Sequence, residues 1–418
     1  MHKRSLKTFV MDNAVTILFV VLCILSIICS GQSLSYVAME LFGRLTRNAF
    51  LVLALIIPIV AGMGINFAVT IGAMAAQISA LWVTEWQVPG IGGFGLAALM
   101  TVPIAGIFGF LIGKLLNKMK GQEMIGGLIL GYFANGIYQL LFLFIFGNLI
   151  PLKTDGLVIK GSTGVANTIE LRGFKQALDG IWRLKFDTVL LVCAAIVLVV
   201  SLIMLIMKLA RGQKEFRRIR KNVITMVAAI VIVPLYQIPA IKAIFRDVRI
   251  PVITYVIIAL LCLFNVLIMR TRLGQQFRAV GQSMNVANAS GINVDRVRVI
   301  AIVISTILAG WGQLIFVQNF GVFQTYGAHE QVGLYAGAAI LVGGASIVRA
   351  TNAQAILGCI LFHTLFIVAP EAGKVLFGDA QLGEYFRVFI SYGVIAAALV
   401  LHGLRTMKSK KLEEGKAR

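Results

Sequence analysis

The residues of this chain that could do acid–base, metal or nucleophilic chemistry are seventeen Asp and Glu, four His and five Cys. Their spacing supports none of those centres. No H-E-x-x-H pair, no G-x-S-x-G elbow and no Cys/His ligand cluster occurs, which removes the common hydrolase and metalloenzyme designs. No G-x-x-x-x-G-K-[ST] phosphate loop occurs either, so ATP hydrolysis by that device is excluded. The carboxylates fall in polar stretches or at the ends of apolar ones, never at the middle of an apolar run. Ionisable groups inside a bilayer are costly and kept for work, and ion-coupled carriers commonly keep such carboxylates. A buried carboxylate relay is therefore not expected. Cys23, Cys29, Cys193, Cys262 and Cys359 lie inside apolar segments and read as small buried hydrophobes. His363 falls deep in an apolar run, where a single imidazole serves as a hydrogen-bond partner between helices. The chain reads as a non-enzyme with no cofactor or metal of its own.

What remains is hydrogen bonding. Asn66 and Gln77 flank Gly72, Asn135 and Gln139 share a helical face four residues apart, and Asn265 and Gln313 fall in later apolar runs. Uncharged polar groups at these places suit a polar, mostly neutral solute, and they also suit hydrogen bonds that glue one membrane helix to another. Gly64, Asn66, Gln77, Asn135, Gln139 and Gln313 are the candidate pathway residues. Gly106, Gly109 and Gly113 line one helical face, and Gly127 and Gly131 form a G-x-x-x-G step, spacings that let helices approach closely.

The elements that position these groups are membrane helices. The chain has 418 residues, 59 % hydrophobic and 13 % charged, with a mean hydropathy of +0.91. Runs of roughly 17–25 residues without a charge match a hydrocarbon core of roughly 30 Å. In lipid the backbone must bond to itself, which makes these runs helices. The sequence predicts an all-α polytopic protein with about ten to twelve spans, near 14–30, 49–63, 65–84, 94–113, 124–147, 188–208, 223–239, 252–269, 299–317, 332–347, 352–369 and 386–404. The stretch 49–84, with Pro58, Gly62 and Gly64, reads either as two spans or as one broken or re-entrant element.

Charge placement sets the orientation. The net charge of +21 sits in clusters between apolar runs, as the positive-inside rule expects, and not as a nucleic-acid surface. Lys114, Lys118 and Lys120, the run from Lys208 to Lys221, Arg270 to Arg298, Arg349 and the tail from Arg405 to Lys411 mark the inner side. Lys3, Arg4 and Lys7 precede the first run, so both termini are expected in the cytoplasm. Loops at 31–48, 85–93, 148–187, 240–251, 318–331 and 370–385 are expected outside, with Lys242, Arg246 and Arg249 as the weakest point of the scheme. The whole of 1–418 is read as one transmembrane domain, with 148–187 as an extracytoplasmic loop and 271–298 as a cytoplasmic loop too long for a simple turn.

That cytoplasmic loop carries a resemblance. Gly274, Phe277, Arg278, Ala279, Gly281, Ala287, Gly291, Ile292 and Val294 match the pattern G-x-x-[FL]-R-A-x-G-x-N-x-x-A-A-x-x-x-G-I-x-V. This resembles the coupling segment of ABC importer permeases of the ribose and branched-chain amino acid type. Ser283 stands where the family has Asn, and Met284-Asn285-Val286 stands where Pro-Glu-Ala is common. Residues 336–346 are similar to the family's A-A-x-x-x-G-G segment, and 62–69 to its G-G-I-D-L-S-V stretch with Asn66 for Asp, whereas 150–250 shows no usable likeness. The resemblance implies a multi-pass permease of the bacterial cytoplasmic membrane that imports a simple sugar, a nucleoside, an autoinducer-type sugar or a flavin. It further implies ATPase subunits docked at 271–298 that use the ATP, a second permease copy or a similar chain, and an extracytoplasmic solute-binding protein. A stand-alone secondary transporter is the rival reading.

Overall fold

The computed structural model describes residues 13–158, 164–171, 173–210, 216–379, 381–389, 392–393, 396 and 400, with side chains left out for 216–221. The basic residues of both termini, Arg211 and Lys214, and most of 386–404 lie outside them. The first helices are α1 (Ala14–Ser30), α2 (Leu34–Ala54) and α3 (Ile56–Val60), followed by α4 (Val69–Glu85), α5 (Gly90–Lys118) and α6 (Glu123–Leu140), which runs on as a wider π turn through Ile145. Then come β1 (Thr168–Glu170), β2 (Arg183–Lys185), α7 (Phe186–Ala210), α8 (Phe216–Tyr236), α9 (Pro239–Ile244) and β3 (Arg249–Pro251). The last part holds α10 (Val252–Ile268), α11 (Arg272–Gln282), α12 (Met284–Ala289), α13 (Val294–Phe320), β4 (Val322–Gln324), α14 (Val332–Val342) and α15 (Asn352–Phe377). The fold is all-α and polytopic.

Among the described residues six helices are long and apolar enough to cross a bilayer alone, or seven if the pair α10–α11, bent by 75°, counts as one. The expected ten to twelve spans counted every apolar run. Several of those runs are short helices, such as α1 and α14 with 17 and 11 residues, and they sit against long ones. Two boundaries also differ from expectation. The predicted outer loop 31–48 is mostly helix α2, with Glu40, Arg44 and Arg47 on it, and α15 carries Glu371 and Lys374 past the predicted loop start at 370. Helices with paired charges near an end read as loops when only charge-free runs are counted.

The core forms where α13 packs on α2, α4 and α5, while α15 packs on α1 and α2. Small residues set the approach, as their spacing predicted. A Cβ on Gly109 or Gly113 would lie 3.0 Å from the Cα of Val303 or Val299 on α13, and one on Gly72 would lie 2.2 Å from Thr306 O. Helices α7 and α8 pack mainly on each other, giving a helix pair within the stretch that showed no usable likeness. Cys193, expected buried, lies exposed on α7.

The stretch 49–84 resolves into one long helix and one half-built span. Pro58 has no N–H for the carbonyl of Ala54, and Ser305 Oγ donates to that carbonyl instead at 2.9 Å. The chain then runs without helix from 61 to 68 before α4 starts. A second non-helical stretch, 325–331, leads into α14. The first break packs against the start of α14, just past the second, since a Cβ on Gly333 would lie 2.8 Å from Phe67 O.

One face of the bundle gathers the α10–α11 elbow, α12, and the starts of α6 and α13. There Arg298 of α13, 1 % exposed, pairs with Glu123 of α6, and Lys120 pairs with Asp295 at 2.7 Å. The opposite face carries a cap built from the described residues of 146–185. Its β1 pairs antiparallel with β4, and β2 with β3, so Arg249 of the doubtful loop lies on the cap side with 148–187. Buried Asp179 fastens the cap, accepting from Thr254 Oγ1 and from Asn319 Nδ2.

Candidate functional site

Two places in the fold combine unusual chemistry with a position that the elements enforce. The first is the elbow on the basic face. Helix α11 begins at Thr271, whose hydroxyl accepts from Gly274 N, and its apolar stripe buries Phe277 and Val280 against the bundle. Gly281 lies on the end of α3, where a Cβ would stand 2.1 Å from Val60 O, and Gly62 faces it with φ +77°. Only glycines allow this contact, one for closeness and the other also for its backbone angle. Ser283 then caps α12 by accepting from Val286 N, and Gly291 with φ +78° ends it. Helix α12 presents Val286, 65 % exposed, among Asn285, Asn288 and Ala289.

The residues of the loop pattern thus divide by task. Gly274, Phe277, Ala287 and Val294 are buried and hold the elbow down, while Arg278 and Gly291 are exposed and Ala279, Gly281 and Ile292 are half-buried. Arg278 Nη2 donates to Met269 O at 2.7 Å, which braces the bend between α10 and α11.

The second place lies inside the bundle, at the second helix break. Gln77 of α4 and Tyr138 of α6 join at 2.7 Å, and Tyr138 Oη also lies 2.9 Å from Thr325 O. His329 brings Nδ1 to Gln77 Oε1 at 2.9 Å and Nε2 to Asn135 Oδ1 at 2.8 Å. Asn135 Nδ2 reaches Glu330 Oε1 at 3.3 Å, and Gln313 Nε2 donates to Ala328 O at 3.2 Å. The ring of Tyr138 stacks on Phe142, with centroids 4.3 Å apart, and lies against His329, which fixes the imidazole from one side.

Proton accounting assigns this network. The single Tyr138 proton can serve only one of its two oxygens, and a histidine facing two oxygens satisfies both only as imidazolium. Turning the Gln77 amide end for end resolves both conflicts. Its nitrogen then donates to Tyr138 and to His329 Nδ1, Tyr138 donates to Thr325 O, and neutral His329 donates through Nε2 to Asn135. Among the described residues the Gln77 nitrogen is without a partner when the amide points the other way, and Gln313 Oε1 has none in either case. In the turned arrangement the unpaired groups are therefore acceptors: Gln77 Oε1, Gln313 Oε1 and the second oxygen of Glu330.

Depth gives Glu330 its meaning. Asn135 lies twelve residues into α6 from Glu123, about 18 Å above the basic face at 1.5 Å per residue. Gln77 lies eight residues before Glu85, about 12 Å below the cap side, where Lys153 N and Thr154 N donate to the Glu85 carboxylate. The two lengths together span the roughly 30 Å of a hydrocarbon core. Glu330 is thus an exposed carboxylate joined to Asn135 about 18 Å from the basic face. Residue 330 belongs to a polar stretch in sequence, and only the break before α14 carries it inward.

Of the candidate pathway residues, Gln77, Asn135 and Gln313 come together here. Gln139 is half-buried, and its side chain makes no hydrogen bond among the described residues. Asn66 lies elsewhere, its Oδ1 accepting from Ala68 N and its Nδ2 facing Ser305 Oγ at 3.4 Å, where it supports the break before α4. Gly64, with φ +67°, packs on Met124. Tyr138, His329, Thr325 and Glu330 were not identified from sequence. Tyr138 lies one helical turn after Asn135, which is a usable signal. His329 and Glu330 carried none, because their stretch looked like an ordinary outer loop.

Comparisons with known proteins bear on the family. The family model described as branched-chain amino acid transport system / permease component matches residues 179–399, more than half of the chain, reaching back beyond the expected likeness into 179–250. An autoinducer 2 import system permease protein, LsrC, of Klebsiella pneumoniae is 30 % identical over 149 residues, covering 36 % of this chain and 41 % of the relative. A probable ABC transporter permease protein, YphD, of Escherichia coli is 28 % identical over 162 residues, covering 39 % and 47 %. LsrC of Photorhabdus luminescens is 26 % identical over 149 residues, covering 35 % and 42 %. The matches thus span less than half the length of these curated relatives. No solved structure matches the chain.

Proposed function

The chain belongs to the family of branched-chain amino acid transport permease components, and from that premise we propose that it is the membrane-spanning subunit of a bacterial ABC importer. In this reading it moves a small polar solute inward by alternating access and does no chemistry on it. The observation that carries the proposal is the elbow. A short surface helix with an exposed apolar residue, Val286, is joined rigidly through buried Phe277 and the Gly281–Gly62 contact to the helices that build the interior. Such a helix can seat in a soluble ATPase and pass its motion to the breaks at 61–68 and 325–331. Gly274, Phe277, Arg278, Ala279, Gly281, Ala287, Gly291, Ile292 and Val294 form the proposed docking element, and the basic face is the cytoplasmic one in this assignment.

For the pathway we propose the face that carries Gln77, Asn135, Gln313, His329 and Glu330, with Gly64 and Asn66 supporting the break beneath it. An exposed carboxylate at this depth is costly against lipid, so it favours a water-filled pathway or a second permease copy on that side. Unpaired acceptors favour a solute rich in hydrogen-bond donors, such as a simple sugar or a nucleoside. The relatives named for autoinducer 2 import support an inward direction. A binding protein would deliver the solute at the cap, and the surrounding membrane is the bacterial inner membrane.

The test is uptake of labelled ribose and a nucleoside into proteoliposomes, with the chain alone and then with ATPase and binding subunits. Uptake that needs the partners and ATP supports the importer reading. Sodium- or proton-driven uptake by the chain alone overturns it and makes Glu330 the centre of a secondary transporter.

A further inference from the structure

On the basic face a cleft of about 720 Å³ opens beside the elbow and shares Arg278 and Gly281 with it. Its walls come from four places in the chain. Helix α3 gives Val60, α10 gives Asn265 and Val266, α11 gives Arg278, and the stretch before α15 gives Arg349, with Arg270 at the bend between α10 and α11. Three arginines from separate positions in the chain therefore line one concave surface. Among the described residues none of the three is paired with a carboxylate. Elsewhere on the same face Lys120 and Arg298 do have acidic partners. Unneutralised like charges gathered in a cleft raise its potential and draw an anion into it.

A second observation concerns the amide of Asn265, which is 2 % exposed. Its nitrogen lies 3.3 Å from both Leu53 O and Asn352 Oδ1, which fixes the amide's orientation. Its oxygen has no partner among the described residues, and Asn265 lines this cleft. A buried acceptor left open needs a donor from an occupant. The occupant must then offer anionic oxygens to arginine forks and a hydroxyl to an amide oxygen. The outer wall settles where it comes from in space. Val266 is 43 % exposed, and Leu263 and Leu267 on the same helix are more than half exposed, so the cleft opens where α10 meets lipid and where a bilayer places its phosphates.

We propose that this cleft binds a phosphate-bearing anion with a neighbouring hydroxyl, as in the glycerophosphate headgroup of an anionic phospholipid. Arg270, Arg278 and Arg349 hold the phosphate, and Asn265 accepts from the hydroxyl. Because Arg278 already braces the bend through Met269 O, the bound anion ties the elbow to the stretch before α15.

The experiment uses the full chain in phosphatidylcholine nanodiscs doped with phosphatidylglycerol, with retained lipids counted by native mass spectrometry. Wild type is expected to retain phosphatidylglycerol over phosphatidylcholine by about tenfold or more, as charge-assisted bonds to several arginines imply. The variant R270Q/R278Q/R349Q should lose that preference, while K114Q/K118Q/R296Q, which removes the same charge from the same face outside the cleft, should keep it. Phosphatidylmethanol, equally charged but without the hydroxyl, should be retained less well than phosphatidylglycerol. Free glycerol 3-phosphate added to neutral discs separates the sources. Stabilisation by the lipid alone assigns a headgroup site, and equal stabilisation by the free phosphate assigns a soluble ligand of the same chemistry. The proposal is overturned if the cleft variant retains phosphatidylglycerol like wild type, or if the control variant loses as much.

Discussion

Replacing Gly281 by Ala tests whether the elbow is joined to the interior through the α3 contact. A Cβ there would stand 2.1 Å from Val60 O and 3.1 Å from Gly62 N. Carbon and oxygen in ordinary close contact keep about 3.3 Å, so α11 must lift by roughly 1.2 Å. Backbone lies on both sides of the contact, and no flexible side chain can yield. Overpacking of this kind costs about 1–3 kcal/mol. Borne by the seated elbow, that cost lowers the seated population by roughly 5- to 150-fold. Gly95→Ala is the matched control, since a Cβ on Gly95 of α5 meets nothing within 4 Å. The assay is ATP-driven uptake in proteoliposomes, reported as solute moved per ATP hydrolysed. G281A should lose at least fivefold in that ratio with the protein still inserted and monodisperse, and G95A should match wild type. A G281A protein that transports with an unchanged ratio would show that motion does not pass through this contact, and the reasoning would fail.

Three other perturbations read separate parts of the structure. Arg298→Met leaves Glu123 nearly buried without its partner and should lower stability by about 3–5 kcal/mol, with much of it restored in R298M/E123M; thermal unfolding in detergent checks this. Glu330→Gln should raise the KM for a hydroxylated solute about tenfold with ATPase docking unchanged, since a charged acceptor is worth about 1.5–3 kcal/mol per hydrogen bond. Asp179→Ala removes the acceptor of Thr254 and Asn319, and limited proteolysis within 148–187 should speed up several-fold while the helix bundle stays intact.

The sequence made the class and the elbow legible, because both rest on local rules. Charge-free runs define helices in lipid, and the loop pattern from Gly274 to Val294 keeps its residues within one continuous stretch. Half of the interior cluster was legible for the same reason, since Gln77, Asn135 and Gln313 are polar residues inside apolar runs. The other half was not. Nothing local separates His329 and Glu330 from an exposed loop, and their depth follows only from where α14 begins and what Phe67 packs against. Helix α2 was misplaced because Glu40, Arg44 and Arg47 satisfy one another, Arg44 and Arg47 both reaching the Glu40 carboxylate, so charges that look like a loop ride on a helix.

The pairing of β1 with β4 has a consequence for the order in which the protein is made. Its partners are Thr168–Glu170 and Val322–Gln324, so about 150 residues must be synthesised after the first strand before the second exists. At roughly 5–20 residues per second the first strand waits about 8–30 s. Until residues 249–254 have been made, 146–185 has no strand to pair with and Asp179 has neither Thr254 nor Asn319; after that β2 can join β3, while β1 still waits for β4 and Asp179 for Asn319. The cap therefore closes late, once α13 has been threaded through the membrane. A nascent chain stalled before residue 322 offers proteases a long unpaired segment that the finished protein conceals.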